Sequence, residues 1–369
     1  MSILNKSYRD DIFEVRHLVD EEYHGARLDQ FIQMYLDSFS REMIKKKIKV
    51  KEITIVGRPG VHKPSTVLHH KDEVVIRFYR SKFEDEYWRG NKLELQMDPD
   101  IVFEDEALIV ISKPAFMSTH PAGRHVFNCA TVFFEMKYEQ TIHSLHRIDR
   151  ETSGILMLGK TPKIANEMMA HFEKDDVKKC YLFISRANEN YRGEKEFIAC
   201  ERMSSPGEGL KRVYVEYYPE NSMEGKHART FFFILEQVGD YVIGIACPQT
   251  GRQHQIRVHA LAHGIPLIGD KMYLGSYEMF QRFKDQVATP EDHDHMEIPR
   301  HALHAIALKI PYKKEKKKIF ITHIPSDLKT WIIKKTSLNI EALEAKITQT
   351  IKKYYDKDNN KVDDKQNNE

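Results

Sequence analysis

The sequence has few cysteines and no pattern that would join them. Four occur among 369 residues, and no two form a CxxC pair. They are Cys129, Cys180, Cys200 and Cys247. This spacing argues against a disulfide framework or a zinc cluster. We therefore expect buried or chemically indifferent thiols in a reducing compartment.

Long apolar runs are also missing. No stretch approaches the roughly 18 consecutive apolar residues that suggest a membrane span. The opening residues, MSILNKSYRD, lack the apolar core of a signal peptide. We expect a cytoplasmic protein that makes no membrane contact. The 41% share of hydrophobic residues is enough for an ordinary globular core.

The sequence also lacks a strong net charge. Its formal net charge is only +2, and this value alone does not predict a nucleic-acid partner. The distribution is uneven, however, because residues 24–80 contain twelve Lys or Arg and six Asp or Glu. This basic surplus makes the segment the candidate for contact with an anionic partner.

The basic segment has the pattern of two short helices followed by small strands. Apolar residues at helical spacing mark the first helix: Leu28, Phe31, Ile32 and Tyr35. Ser40 is a candidate N-cap for the second, REMIKKKI, which would turn Ile44 and Ile48 inward. The strands EITIVGRPG and DEVVIRFYR follow. On its own, the lysine-rich helix is as compatible with a solvated face as with a binding surface.

This order of elements, from about Gly25 to Phe78, resembles the S-four-type RNA-binding domain, or alpha-L motif. In that family the second helix and the loop after it present basic groups to folded RNA. The resemblance implies RNA contacts by the basic residues of the second helix: Arg41, Lys45, Lys46, Lys47 and Lys49. Phosphate contacts of this kind position a protein without reading bases.

The remaining chain predicts a second, larger domain. We expect an S-four-type domain over residues 24–80, a polar linker over 81–99 and a large domain over 100–325. Strands dominate the large domain, including Leu108–Ser112 and a hairpin with its turn at Gly239-Asp240. This predicts an α+β fold around a largely antiparallel, mixed sheet. A helical extension over 326–351 and a disordered tail over 352–369 complete the chain.

The segment HRIDRETSGILML, residues 146–158, places several charges directly before an apolar strand. Such charges cost free energy unless they are paired or used. A loop fixed by a buried strand is also where catalytic groups are often mounted. From the local sequence alone, an Arg–Asp pair that fastens the loop is the simpler interpretation.

A second charged segment, PQTGRQHQIRVHALAHGIPLIGD, spans residues 248–270 and predicts a helix from Gln253 to His263 that stops at Gly264. Arg257 lies between apolar neighbours in this helix and requires a carboxylate. Asp149 is a candidate partner.

Two histidine patterns invite a metal interpretation. His259 and His263 are four residues apart with His254 nearby, but the sequence has no HExxH motif and no acidic ligand beside them. We expect structural or RNA-contacting histidines. We also expect DHDH, residues 292–295, in a solvated acidic loop, so no metal site is predicted.

Taken together, the motifs resemble the RluA family of pseudouridine synthases. The matching strings are HRIDRETSG, KKCYLFIS, TGRQHQIRVH, ALHA at 302–305 and KPA at 113–115. Their order over residues 100–325 is specific, and an S-four-type domain is a common attachment in that family. The resemblance implies isomerisation of uridine to pseudouridine in RNA, without a cofactor or a metal.

The resemblance also implies roles for individual residues. Asp149 matches the essential aspartate, and Arg257 matches the arginine that pairs with it and keeps it charged. Tyr181 matches the tyrosine that packs against the target base. Arg147 matches the arginine that contacts RNA near the extruded nucleotide, which must leave its stack to be reached. His146, Arg252 and His254 complete the expected substrate-binding residues.

Three departures and several alternatives stand beside this prediction. Ile148 replaces the commoner leucine, Phe116 stands where the family usually has glycine, and residues 278–299 fit no motif. We expect a monomeric enzyme whose substrate is large-subunit ribosomal RNA, with transfer RNA as the second candidate. A non-catalytic RNA-binding or ribosome-assembly factor is the main alternative. A glycoside hydrolase is disfavoured because it needs two carboxylates.

Overall fold

The computed structural model describes residues 2–9, 12–35, 40–80, 84–121, 125–174, 176–204, 214–313 and 315–356. The chain divides into two compact units. The small unit comprises Met1–Glu86 and Ser118–His143, and the large unit comprises Tyr87–Met117 and Ser144–Glu369.

The part of the small unit that the structure describes contains one antiparallel sheet and three helices. Its strands are β1 (Ser2–Arg9), β2 (Ile12–Leu18), β3 (Ile53–Ile55) and β4 (Glu73–Tyr79). Its helices are α1 (Leu28–Tyr35), α2 (Arg41–Lys49) and α3 (Ala130–Tyr138), with a short 3-10 turn at Glu21–Tyr23. The strands are ordered β1-β2-β4-β3.

The two helices expected in the basic segment are confirmed. The Ser40 hydroxyl accepts the Met43 N–H at 3.3 Å and caps α2, whose Ile44 and Ile48 are buried as predicted. In α1, Leu28, Phe31 and Ile32 are buried. The side chain of Tyr35, the fourth residue of the predicted stripe, lies outside the described residues.

The predicted domain boundaries need correction. Strand β2 pairs with β4 along its whole length, so the sheet begins before residue 24. Residues 118–143 belong to the small unit, although they were expected in the catalytic domain. The reason is a long-range contact: Glu84, in the predicted linker, accepts the N–H groups of Phe127 at 3.1 Å and Asn128 at 3.0 Å. Phe127 is buried in the core of this unit.

The large unit is built mainly from strands. They are β5 (Tyr87–Trp88), β6 (Asn91–Lys92), β7 (Asp100–Glu104), β8 (Leu108–Lys113), β9 (His143–Ser144, whose first residue falls in the small unit), β10 (Ser153–Gly159), β11 (Lys178–Arg186), β12 (Glu196–Ala199), β13 (Arg202–Met203), β14 (Tyr217–Tyr218), β15 (Thr230–Val238), β16 (Tyr241–Pro248), β17 (Leu303–Tyr312) and β18 (Glu315–Ile321). The helices are α4 (Pro162–Glu173), α5 (Gln255–Ala262), α6 (Tyr277–Lys284), α7 (Pro290–Met296), α8 (Ser326–Thr336) and α9 (Ile340–Asp356).

Ten strands form the main sheet in the order β12-β15-β16-β11-β17-β10-β8-β7, with β18 beside β17 and β9 beside β10. Most pairs are antiparallel, and β10 runs parallel to β17. The predicted hairpin turn at residues 239–240 joins β15 to β16. The α+β fold class with a largely antiparallel, mixed sheet is therefore confirmed.

The two faces of the main sheet support two apolar layers. Along β11, Tyr181 and Phe183 face one layer, whereas Cys180 and Leu182 face the other. This alternation is the expected period of a strand. Helices α8 and α9 cover the second layer with Leu328, Trp331 and the apolar stripe of α9.

The apolar stripe of α9 extends beyond the predicted start of the disordered tail. Residues from 352 onward were expected to be disordered, but α9 continues to Asp356, and Tyr354 and Tyr355 are buried. They continue the helical spacing of Leu343, Ile347 and Ile351, so they bury apolar area despite charged neighbours. Residues 357–369 lie outside the described residues.

One glycine allows the close approach of β10 and β17. Gly154 has a φ of +106°, and a Cβ atom there would lie 2.3 Å from the carbonyl oxygen of Ala305. A side chain at this position would push the two strands apart. The strand that follows the charged segment is thereby fixed against the ALHA segment. Within the described ranges, no helix is long and apolar enough to cross a membrane.

Candidate active site

Asp149 and Arg257 are hydrogen-bonded in the large unit. Arg257 Nη1 donates to Asp149 Oδ2 at 3.0 Å. Asp149 lies in the turn before β10, where Thr152 N–H donates to its carbonyl oxygen at 3.0 Å. Its side chain is 31% exposed, whereas that of Arg257 in α5 is 8% exposed. The predicted pairing is therefore present, with the carboxylate on the accessible side.

Arg257 has a second carboxylate partner that the sequence analysis did not identify. Its Nε and Nη2 atoms donate to the two oxygens of Asp270 at 2.6 and 2.8 Å. Asp270 is fully buried, and its Oδ1 also accepts the N–H groups of Met272 and Tyr273. This bidentate pair fixes the orientation of the guanidinium. Asp270 closes the string LIGD, but nothing local in that string indicates which cation it binds.

His254 approaches Asp149 from the N-terminus of α5. Its Nε2 lies 3.9 Å from Asp149 Oδ2, and its Nδ1 is hydrogen-bonded to the Tyr273 hydroxyl at 2.9 Å. Because that hydroxyl already accepts the Val215 N–H at 3.0 Å, its own proton is available for Nδ1. The pKa of His254 is lowered to about 4, mainly by burial and secondly by the positive charge of Arg257. The imidazole is consequently neutral at pH 7.

Asp149 is held in its charged form. Burial acts to raise the pKa of its carboxyl, but the charges of His254 and Arg257 and the Arg257 hydrogen bond bring the pKa below its ordinary value. Since His254 is itself neutral at pH 7, the permanent charge of Arg257 is the effective cause at that pH. Burial and the Asp149 charge raise the pKa of Tyr181, so its hydroxyl stays protonated.

These groups line one pocket of about 350 Å³. Every residue predicted for catalysis or substrate binding in the large domain lines it: His146, Arg147, Asp149, Tyr181, Arg252, His254 and Arg257. Lys179, two residues before Tyr181 on β11, lines it as well and was missed. The strand period places Lys179 and Tyr181 on one face, which is the signal that would have found it.

The comparison with protein families agrees with this geometry. Residues 107–262 match the model of the RNA pseudouridylate synthase family. These residues belong to that family. The predicted enzyme class, an isomerase that forms pseudouridine in RNA, is thereby confirmed.

Relatives of the synthase domain extend over most of the chain. Ribosomal large subunit pseudouridine synthase C of Haemophilus ducreyi is 26% identical over 307 residues, which cover 82% of this chain and 90% of that protein. Ribosomal large subunit pseudouridine synthase D of Vibrio cholerae is 27% identical over 332 residues, with coverage of 85% and 93%.

A solved structure supports the fold of the synthase domain. Human RNA pseudouridylate synthase domain containing 4 is 21% identical, covers 63% of this chain and 91% of its own length, and has a TM-score of 0.50.

His146 and Arg147, two of the predicted substrate-binding residues, differ in how firmly their side chains are held. His146 Nε2 accepts the Met157 N–H at 3.1 Å, and its ring stacks on Phe172 with centroids 4.7 Å apart. Burial lowers the pKa of His146 to about 3. His146 therefore forms a neutral, fixed wall of the pocket, whereas Arg147 is exposed at its edge.

The three residues 151–153, which follow Asp149 in the same segment, also have partners. Glu151 accepts from Lys271 Nζ at 2.8 Å and from the His301 N–H at 3.2 Å. Thr152 is hydrogen-bonded to His301 at 2.7 Å, and Ser153 to His304 at 2.8 Å. The segment is thus fastened to residues 301–304, while Asp149 stays open to the pocket.

The histidines with metal-like spacing in the synthase have other partners. His259 is hydrogen-bonded to Thr230 Oγ1 at 2.8 Å and to the Glu201 carbonyl at 3.1 Å. His263 Nε2 lies 3.1 Å from the Glu201 carboxylate, so the expectation of no acidic group nearby is wrong. Glu201 is far away in sequence and is brought close by the fold. Within the described ranges, no group of three His, Cys, Asp or Glu side chains is placed to hold a metal ion.

The DHDH segment is a helix rather than the expected loop. It lies in α7, which starts with a capping box between Thr289 and Asp292. Asp292 is buried and accepts from Arg282 Nε at 2.6 Å. The Asp292 carboxylate accepts the Thr289 N–H at the start of the helix and also pairs with Arg282, which explains why it is buried.

The basic residues of α2 differ in their partners. Lys45 pairs with Glu42 at 2.9 Å, and Lys47 pairs with Glu52 at 2.5 Å. Arg41, Lys46 and Lys49 are exposed, and no ion pair joins them to another residue in the described part of the chain. These three cations are the ones most available to an anionic ligand.

Proposed function

We propose that this protein isomerises uridine to pseudouridine in large-subunit ribosomal RNA, with Asp149 as the catalytic carboxylate. The observation that carries the proposal is the hydrogen bond between Arg257 and a partly exposed Asp149 in the pocket that also contains Tyr181. The names of the relatives from Haemophilus ducreyi and Vibrio cholerae support the choice of RNA. Such a substrate implies a cytoplasmic site of action.

The proposed reaction uses the charged state of Asp149. An ionised carboxylate can attack carbon or remove a proton, and the bound Arg257 keeps this one ionised. The glycosidic carbon–nitrogen bond breaks, the base turns, and its carbon five joins the sugar, so no atoms are gained or lost. Both roles of Asp149, nucleophile and base, agree with its geometry.

Tyr181 has a narrower set of roles. Because the pKa of its hydroxyl is raised, Tyr181 is neutral at pH 7. Its ring can pack against the uracil, and its hydroxyl can take the carbon-five proton only while it releases its own. We propose this packing and proton-relay role, which needs no charged tyrosine.

The target base must leave its stack before it can enter the pocket. Unstacking costs a few kcal/mol. Phosphate contacts elsewhere can offset this cost, and we propose Arg41, Lys46 and Lys49 of α2 as one source. Arg147, exposed at the pocket edge, is proposed to contact the RNA beside the flipped nucleotide.

The test compares the wild-type protein with Asp149→Asn. Pseudouridine is mapped across all cellular RNA with and without each protein, and tritium release is measured on uridine-labelled ribosomal RNA. We expect Asp149→Asn to lower turnover on the order of a thousandfold. RNA affinity should change by less than about threefold, because the substitution removes no cation that contacts a phosphate.

Each other outcome identifies a different function. Loss of pseudouridine only in transfer RNA would assign that substrate instead. Wild-type protein that binds ribosomal RNA and releases no tritium from any cellular RNA would indicate a non-catalytic binding factor. Affinity that falls as far as turnover would make Asp149 a structural residue.

A further inference from the structure

A second cavity lies beside the active-site pocket of the large unit. Its volume is about 410 Å³, and it shares Pro248 and Thr250 with the first pocket. Among the described residues that line it, three are basic and none is a carboxylate: Lys178, His227 and Arg229 are the basic residues. A concave site with basic side chains and no opposing carboxylate is suited to an anion.

Arg229 presents an unsatisfied donor in this wall. Its Nε is buried and has no hydrogen-bond partner among the described residues. Leaving such a donor unpaired costs free energy. The main chain of Arg229 is nevertheless firmly held, because its N–H donates to Thr250 at 3.1 Å and its carbonyl accepts from Gln255 at 3.0 Å. A rotation of the side chain that exposes Nε to the cavity would let an oxygen-rich anion accept from the guanidinium while the backbone stays in place.

Lys178 completes the basic wall from the first residue of β11. Its Nζ lies 5.2 Å from the ring centroid of Tyr354, which forms another side of the cavity. Burial lowers the pKa of Lys178 to about 8, and nearby Lys309 adds to this shift. A bound anion would favour the charged form, so binding and protonation would support each other.

The two pockets are joined by Arg252. This residue lines the active-site pocket, and its Nε donates to the carbonyl oxygen of His227 at 3.1 Å, in the wall of the second cavity. Because the two cavities share Pro248 and Thr250, the backbone next to a base held in the first pocket would come within reach of the second cavity. Tyr354 belongs to α9, which lies outside the residues that match the family model.

We propose that the second cavity binds the backbone phosphate of a nucleotide that flanks the target uridine. This inference rests on the proposed function, because it takes the RNA strand from the occupied active-site pocket. Arg229 is the principal ligand, and Lys178 is the supporting one. Their contribution is to hold the strand after the base has flipped.

The test measures RNA binding with full-length Arg229→Gln and Lys178→Gln, each combined with Asp149→Asn to prevent turnover. The probe is a large-subunit ribosomal RNA transcript, titrated between about 50 and 200 mM salt. Each variant is expected to weaken binding roughly fivefold to tenfold at low salt and to reduce the slope of log Kd against log salt by about 0.7 to 1. Arg229→Lys, which keeps the charge, should recover most of the slope.

Lys334→Gln is the matched control, because Lys334 is an exposed cation of α8 and lines neither cavity. In the background with Asp149 intact, the two cavity variants should raise KM and leave kcat within about twofold, as expected for lost uniform binding. A salt slope equal to that of Lys334→Gln, or a fall in kcat without a change in affinity, would overturn the inference. Failure of the wild-type protein to form pseudouridine would instead overturn the proposed function.

Discussion

At the residue scale, Arg257 divides its donors between two carboxylates of unlike exposure. Asp270 takes two donors and is fully buried, whereas Asp149 takes one and is partly exposed. The contact to Asp149 is made to Oδ2, which leaves Oδ1 for a substrate. A bidentate pair with Asp149 would have occupied both oxygens. Asp270 therefore orients the arginine, and Asp149 keeps a reactive oxygen.

This division predicts different costs for two isosteric substitutions. Asp270→Asn leaves the Arg257 guanidinium buried without its main counter-charge, so the free energy of unfolding should fall by about 3 kcal/mol. Asp149→Asn leaves the bidentate pair intact and should cost less than about 1 kcal/mol. Urea unfolding followed by tryptophan fluorescence measures both, because Trp88 and Trp331 lie in the large unit. Equal losses would contradict the assigned roles.

The same residues show what the sequence could predict. Asp149 and Arg257 were found because each lies in a motif whose local pattern is distinctive. Asp270 was missed because its position depends on a turn: Gly269 has a φ of +71°, and a Cβ atom there would lie 1.9 Å from the Arg300 carbonyl oxygen. The Cys180 and Cys247 sulfurs, 3.4 Å apart, were likewise unpredictable because strand pairing brings them together.

At the element scale, some features of α2 follow from its own sequence and others depend on residues outside the helix. Its N-cap and its buried isoleucines follow from spacing within nine residues, and the structure confirms them. The availability of its cations does not follow from spacing alone, because Lys47 is paired with Glu52 beyond the helix. The five predicted RNA-binding residues thus divide into two cations with an ion pair and three exposed cations with no ion pair in the described part of the chain.

This division gives a prediction for α2. Replacing Arg41, Lys46 and Lys49 together with glutamine should lower the slope of log Kd against log salt by about 2, since up to three phosphate contacts are lost. The matched control, Lys45→Gln with Lys47→Gln, removes paired cations and should change the slope by less than about 1. Salt-dependent binding of the ribosomal RNA transcript measures both. The same slope for the triple variant and wild type would exclude α2 as an RNA contact.

Element boundaries were predicted less well than element types. Strands β1 and β2 precede the expected domain start, and α3 joins the small unit from residues 130–138. Both differences come from contacts between distant segments, such as those of Glu84 with residues 127–128. Local patterns contain no record of these contacts, so a helix or strand that they predict correctly can still be assigned to the wrong unit.

At the scale of the whole molecule, the large unit holds several histidines in a neutral state. Burial lowers the pKa of His254 and His259 to about 4 and that of His304 to about 3. These residues connect α5 to its surroundings and β10 to β17 through hydrogen bonds. The fold that positions Asp149 thus depends on uncharged imidazoles.

This dependence predicts acid sensitivity. The unfolded chain takes up a proton at each histidine near pH 6.5, whereas the folded chain resists protonation until about pH 4 or below. The unfolded state then binds more protons between these values, so the free energy of unfolding must fall as the pH falls. Each histidine contributes at most about 1.4 kcal/mol per pH unit. Together, the three can remove much of a typical stability of about 5–15 kcal/mol.

Urea unfolding at pH 7.5, 6.5, 5.5 and 4.5, followed by tryptophan fluorescence, measures this loss. We expect little change between pH 7.5 and 6.5 and a steep fall below pH 6. His259→Gln provides the internal control: whatever its stability at pH 7.5, it should lose about 1.4 kcal/mol less per pH unit within the window. A wild-type stability that stays level from pH 7 to pH 5 would show that these imidazoles accept protons in the folded state. His254 would then become protonated below about pH 6.5 in the folded protein, and Asp149 would face two cations rather than one in that range.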